Sequence, residues 1–287
     1  MQRYAVIDIG SNSVRLMLVA DGKVLYKTLA TTRLGEGIAS SSCLNACAIE
    51  RTANAVRDFV LKAKQEGAEV VFAFATAAVR SAENGYDFLA RVRALCGIEI
   101  EVVSGETEAE IGVLGALGVN DGAVIDVGGA STELVVKNNG EYVYKKSVDI
   151  GVVRLKDVCG RDKIALETMA QQKIALFGAV PTAPLTAIGG TATTLASLVL
   201  GLQVYDSEMI TGTVITRAQM RALAEMLSSK SVEEIAKMPC MPKGRADVLS
   251  GGAVWLAVIM ERLGFESLTV SDRDNLEGYA IKKGLTV

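Results

Sequence analysis

The sequence predicts a mixed α/β protein built from two copies of one domain. One phrase occurs twice, as VIDIGSNSVRLMLV from Val6 and as VIDVGGASTELVV from Val124. The copies lie about 118 residues apart, the period of a domain duplication rather than of a solenoid repeat. Apolar β-rich runs alternate with runs of helical spacing along the whole chain. The 287 residues, half of them apolar with a mean hydropathy of +0.31, suit two ordinary domains better than one core. The expected domains are residues 1–118 and 119–274, with the last helix, about 275–287, returning to the first.

The elements follow in order. YAVIDIG, SVRLMLVA and KVLYKTLA read as strands separated by turns at Gly10-Ser11-Asn12 and Asp21-Gly22. A helix is expected from Ala46 to Gln65, with Gly67 just beyond it. EVVFAFAT is a buried strand, AENGYDFLARVRALCG a helix from Gly85 ended by Gly97, and IEIEVVS another strand. TEAEIGVLGALG reads as a helix of small residues suited to a place between two domains. The pattern then restarts with GAVIDVGG, STELVVKN and EYVYKKSVD, a second meander with turns at Gly129 and Asn139-Gly140. Helices are expected from Ala165 to Phe177 and from Arg217 to Leu227. Between them TAIGGTATTLASLVLG reads as strand, glycine turn and helix, and SLTVSDRDNLEGYAIKKG as strand, loop and terminal helix.

Composition excludes several functions. The chain has no histidine, which removes Ser-His-Asp and Cys-His chemistry and most zinc catalysis. Acid–base work then falls to carboxylates, Lys, Tyr or water, and a metal would be a hard ion on oxygen, Mg²⁺ or Mn²⁺. Five cysteines without a Cys-x-x-Cys pair read as reduced thiols. The net charge of −3, without a basic run or an aromatic-rich strand, disfavours nucleic acid. No stretch predicts a membrane span, and MQRYAVIDIG lacks the apolar core of a signal peptide, so a cytoplasmic location is expected.

Four constellations carry chemistry. Gly10 to Ser13 and Gly128 to Thr132 are small-residue turns between strands, whose backbone N–H groups can converge on an anion. A single turn of this kind is equally an ordinary hairpin, but here each copy follows a strand that ends in Asp8 or Asp126, and a carboxylate there needs a cation or a metal. Arg80, in ATAAVRSAENG, is a surface arginine or a clamp for a phosphoryl group. Glu106, Glu108 and Glu110 open a helix, where acids also favour the dipole, and spacing does not choose among them. AIGGTATTLA puts Gly190 at a helix start, for phosphate binding or for close packing. The aligned copies pair Arg15 with Glu133, a base in one and an acid in the other.

The phrases DIGSNSVRL, ATAAVRSAEN, VSGETEAEIG, DVGGASTEL, SVDIGVVRL, AIGGTATTLA, GRADVLSGGA and VSDRDNLEGYA run in this order from Asp8 to Ala280. Together they resemble the exopolyphosphatase/guanosine pentaphosphate phosphohydrolase family of the actin, hexokinase and Hsp70 superfamily, in its short two-domain form. The resemblance implies two duplicated actin-like ATPase (ribonuclease H-like) domains. It implies a metal-dependent hydrolase that releases terminal phosphate from linear polyphosphate, preferring short chains, or from guanosine pentaphosphate. By position it makes Glu108 the base for the attacking water, Arg80 the grip on the terminal phosphate, and Asp126 and Glu133 the acids that hold Mg²⁺ or Mn²⁺, with Asp8 as the first-domain partner. Ser11, Asn12, Ser13, Gly128, Gly129 and Ser131 fall on the phosphate turns. A homodimer is expected by the same analogy. Ala130 replaces a usual glycine, Glu110 stands near a usual arginine, and Asp274 stands where glycine is common. Ala130 and Glu110 are the features that would favour a sensor with little hydrolysis, and a kinase of the same superfamily is the third reading.

Overall fold

The computed structural model describes residues 3–38 and 40–287. The first copy of the repeated phrase is an antiparallel meander of β1 (Arg3–Ile9), β2 (Ser13–Ala20) and β3 (Lys23–Thr31). Asp21 and Gly22 both have positive φ, as a two-residue turn matched to the strand twist requires. There follow α1 (Ala46–Gln65), β4 (Val70–Ala75), α2 (Ala77–Ser81), α3 (Gly85–Cys96), β5 (Glu101–Val102) and α4 (Gly105–Leu117). The side chain of Asn45 caps α1 by accepting from the amides of Cys47 and Ala48, and Gly97 ends α3 in the left-handed region.

The second meander is β6 (Gly122–Val127), β7 (Thr132–Asn138) and β8 (Glu141–Val148). Asn139 and Gly140 repeat the positive φ pair of the first hairpin. After it come α5 (Val152–Cys159), α6 (Lys163–Lys173) with a 3₁₀ turn over Ile174–Phe177, β9 (Leu185–Ile188), α7 (Gly189–Leu200) and α8 (Ser207–Ile210). The chain ends with β10 (Val214–Thr216), α9 (Arg217–Ser229), α10 (Val232–Ala236), α11 (Leu249–Leu263), β11 (Ser267–Val270) and α12 (Asn275–Lys282).

The sheet orders are β3-β2-β1-β4-β5 and β8-β7-β6-β9-β11-β10. In both, the meander is antiparallel and the next two strands run parallel to its first strand. The second sheet adds only the antiparallel edge strand β10. The molecule is therefore two ribonuclease H-like units of the actin-like fold, joined in one chain.

Besides α5, α8, β10 and α10, which the sequence reading did not include, three elements differ from it. The run IEIEVVS pairs through two residues only, because β5 is an edge strand against the end of β4. Arg80, expected between a strand and a turn, lies on the short helix α2. Helix α11 has no amphipathic pattern to read, since every residue from Leu249 to Met260 is buried. It is the central helix of the second core, where the Trp255 ring stacks near Phe177 and its indole N–H donates to Thr132 Oγ1 at 2.9 Å.

Helices α4 and α12 join the halves. α12 covers the first sheet: Leu276, Tyr279 and Ala280 pack with Tyr4, Val6, Met17, Val19 and Phe74, and the Tyr279 ring stacks on Phe74 with centroids 4.5 Å apart. α4 sends Ile111 into that cluster, while Ala109 and Val113 pack with Val124, Val135 and Ile188 of the second sheet. The two helices cross almost backbone to backbone. A Cβ added at Gly278 would lie 1.7 Å from the Ile111 carbonyl oxygen. Gly278→Ala must push the helices apart and is expected to cost at least about 1–3 kcal/mol, read as a lower urea midpoint.

Candidate active site

The two repeated turns close in the same way. The Gly10 amide donates to the Ser13 carbonyl at 3.0 Å, and the Gly128 amide donates to the Ser131 carbonyl at 3.0 Å. The turn carbonyls are then taken by the chain that follows: Ser11 O accepts from Gly35 N, Asn12 O from Thr32 N and Arg33 N, Gly128 O from Val152 N and Gly129 O from Val153 N. With these carbonyls turned into the fold, both turns line a shared cavity of about 80 Å³. One water needs ~10–15 Å³, so this cavity has room for a phosphoryl group with water. Gly10, Ser11, Asn12 and Ser13 line one wall, and Gly128, Gly129, Ala130 and Ser131 the other.

Strand register sets the charges. Asp8 pairs across the ladder with Arg15, and Asp126 occupies the same place opposite Glu133. Directly opposed residues lie side by side, so the first copy forms an ion pair and the second puts two acids together. Arg15 Nε and Nη2 both donate to Asp8 Oδ2, the Nε bond at 3.1 Å, and Nη1 donates to Asp274 Oδ2. Asp126 Oδ2 accepts from Asn275 Nδ2 at 3.0 Å, and Glu133 Oε1 accepts from Ser147 Oγ at 2.7 Å. Among the described residues, neither Asp126 nor Glu133 forms an ion pair with a lysine or arginine.

Glu108 comes from the first turn of α4, buried where that helix meets both halves. Arg80 Nη1 donates to Glu108 Oε2 at 2.8 Å and to the Val103 carbonyl at 2.9 Å. Burial pushes the Glu108 carboxyl up to about 7, although Arg80 pulls the other way. Burial, reinforced by Asp274, Glu108 and Asp8, outweighs Arg15 and lifts Asp126 to about 7. Burial and the charges of Glu108 and Asp126 raise Glu133 well above the usual carboxylate range.

Sequence reasoning placed the phrase GRADVLSGGA but gave its arginine no role. Arg245 is 7% exposed, lines the cavity and has an Nε without a hydrogen-bond partner. Burial, then repulsion from Arg15, lowers it to about 10, so it remains a cation at neutral pH. Its guanidinium lies on the start of α7, where a Cβ at Gly190 would be 1.9 Å from Nη1. At Gly189, which has φ of +78°, a Cβ would be 2.4 Å from Asp126 Oδ1. The paired glycines therefore do both things the sequence allowed: they line the cavity and they let two charged side chains pack against a helix N-terminus. The signal for Arg245 in the sequence was only a lone arginine in a loop; its burial comes from contacts distant in the chain.

The residues singled out from sequence converge closely. Asp8, Ser11, Asn12, Ser13, Glu108, Asp126, Gly128, Gly129, Ser131 and Gly190 all line this one cavity. Glu133 lies behind it, bordering a smaller void with Glu108, Asp126 and Asn275. Arg80 reaches the site through Glu108. Ala130 is buried in the first core without positive φ, so its methyl group occupies ordinary backbone. Glu110 faces outward, bonded to Lys145 at 3.0 Å and Lys282 at 3.2 Å. Asp274 is drawn into the site as the second acid on Arg15.

Two ribonuclease H-like halves that close glycine-rich turns and buried acids on one cavity define a protein of the duplicated actin-like ATPase class. Within that class the model of the Ppx/GppA phosphatase family matches residues 18–286, and the chain belongs to this family. It is 32% identical to exopolyphosphatase 2 of Mycobacterium tuberculosis, over 98% of each chain. It is 29% identical to a guanosine-5'-triphosphate,3'-diphosphate pyrophosphatase of Aeromonas hydrophila, over 98% of this chain and 58% of that one. The crystal structure of an Aquifex aeolicus member of the Ppx/GppA family superposes with a TM-score of 0.80 at 28% identity, over 99% of this chain and 97% of that one.

Asp126 carries a raised carboxyl, so ionising it opposes folding as pH rises from the unfolded value near 4 toward about 7. Asp126→Asn is isosteric with the protonated acid. It is expected to raise the melting temperature at pH 8 and leave it close to wild type at pH 5, a difference that calorimetry at the two pH values would detect.

Proposed function

We propose that this chain is a metal-dependent phosphoanhydride hydrolase that removes terminal phosphate from linear polyphosphate. The carrying observation is Glu108: a buried carboxylate held by Arg80, between two anion-binding turns, with an affinity for protons near neutrality. Such a group accepts a proton at physiological pH and releases it again.

In this reading the terminal phosphoryl group lies between the turns, with its oxygens on backbone N–H groups and on the Arg245 guanidinium. Glu108 orients a water and takes its proton as the water oxygen forms its bond to phosphorus. The bridging P–O bond breaks, and its electrons leave with the shortened chain. Arg80 keeps Glu108 aimed before substrate enters; the resemblance further gives it a hold on the terminal phosphate.

The residues fit a hard divalent cation. Asp8 Oδ1 and Glu133 Oε2 are buried without hydrogen-bond partners, and Asp126 is close enough to each for their charges to interact. Among the described residues no three acid, His or Cys side chains form a ready cage. Mg²⁺ or Mn²⁺ would keep waters and substrate oxygens in its shell and take one or two of these carboxylates from the protein. When bound, the ion would offset charge on the phosphate oxygens and on this acidic group.

Guanosine pentaphosphate is the second reading, favoured by the relative named for that nucleotide. Its terminal phosphate presents the same anhydride to the same turns. The ordinary backbone at Ala130 and the outward position of Glu110 weigh against a binding module that does not hydrolyse.

Phosphate release from tripolyphosphate, longer chains and guanosine pentaphosphate, with Mg²⁺ and with EDTA, tests the reading. EDTA should abolish release, and Glu108→Gln should lower turnover roughly 10²-fold or more while substrate still binds. Full turnover in Glu108→Gln would remove the base from this assignment. Because Glu108 works deprotonated, turnover should rise with pH toward a plateau above about 7. Arg245→Lys, losing the planar fork, should raise KM more than it lowers kcat.

A further inference from the structure

Arg15 lines the cavity, yet three of its five N–H donors are spent on acids inside the protein. Asp8 holds Nε and Nη2, and Asp274 holds Nη1. Asp8 is there by strand register, as Asp126 is in the second copy. Asp274 comes from the other end of the chain, at the N-cap of α12, and its side chain is 5% exposed. Its second oxygen accepts from the Leu276 amide at 3.0 Å, so the helix fixes the carboxylate against the arginine. Two acids on one base leave this wall with an excess of negative charge, beside a cavity built to receive anions.

We propose that Asp274 is a specificity-determining residue, which converts Arg15 from a cation available to substrate into an internal brace and so weakens the hold on phosphates beyond the terminal one. The inference rests on the phosphohydrolase reading given above. It assigns the weakening to one bond, Nη1 to Oδ2, and not to the general field of the acids. That field has an internal control. Glu277 lies on the same helix, is buried, and pairs with Lys27 at 2.5 Å. It is a second carboxyl on the same helix, held by Lys27 and without a bond to Arg15.

Asp274→Asn keeps an oxygen for the Leu276 amide and removes the charge that holds Nη1. Glu277→Gln removes the neighbouring charge and keeps an oxygen for the Asp274 amide, which Glu277 accepts at 3.0 Å. The test measures kcat and KM for tripolyphosphate and for a long-chain polyphosphate, calorimetric binding of tripolyphosphate, and the melting temperature of each variant. Asp274→Asn should lower KM and Kd about five- to tenfold, the scale of one charge gained a few ångströms from a polyanion. The gain should be larger for the longer chain and shrink as salt is added. Glu277→Gln should change KM by less than about twofold.

An unchanged KM in Asp274→Asn would overturn the proposal, and so would an equal gain in Glu277→Gln. A variant with lower kcat and melting temperature but no gain in binding would make Asp274 a helix cap only, and the proposal would fall. If wild type releases phosphate while Asp274→Asn binds no better, this inference alone fails. If wild type neither binds nor cleaves any polyphosphate, the functional reading fails with it.

Discussion

The site depends on the register between the first two strands of each meander. A glycine-closed turn fixes which residues face each other, and in an antiparallel pair that choice determines which side chains share a face. In both copies an aspartate near the end of the first strand is held opposite the residue seven positions later. A one-residue slip would place the members of each pair on opposite faces of the sheet and would break the bond that closes each turn. The place of each turn and the place of each charged pair are therefore products of one constraint, while the sign of the charge is left to the side chain.

From that register follows an uneven division of labour. The first copy places a base opposite its aspartate, and the resulting pair is neutralised within the protein, with Asp274 added to it. The second copy places an acid there and gives both carboxylates only neutral donors, Asn275 and Ser147. Burial and mutual repulsion then hold protons on groups that would be ionised in water. Such an arrangement costs stability in the free protein and becomes favourable when positive charge arrives. Arg245, a buried cation with an unpartnered Nε, is the complementary half of the same arrangement.

Holding these groups together requires rigid support from outside the cavity. α4 presents Glu108 to the site from its first turn while its remaining length is packed between the two sheets. α12 delivers Asp274 and Asn275 from its first residues and anchors on the first sheet through Tyr279. The glycines that allow these helices to touch also fix the start of α12: a Cβ at Gly115 would lie 1.9 Å from the Asp274 carbonyl oxygen, and one at Gly112 3.1 Å from Asn275 Oδ1. Packing and site geometry are thus coupled through the same few backbone contacts.

The sequence by itself determined the duplication, the order of most elements and the residues of both turns. These are local signals: alternation in strands, glycine and Asn-Gly or Asp-Gly turns, and helix-ending glycines such as Gly67 and Gly97. It also determined that no histidine takes part. It did not show α11, whose wholly apolar surface has no period, nor the short α2 under Arg80. Above all it could not pair residues far apart in the chain. Arg15 with Asp274, Asp126 with Asn275, and Arg245 against Gly190 are contacts of the folded molecule. Only the tertiary structure decided which carboxylates are paired and which stand alone, because burial and distance, which set the charge state of each, exist only once the two halves have closed on one another.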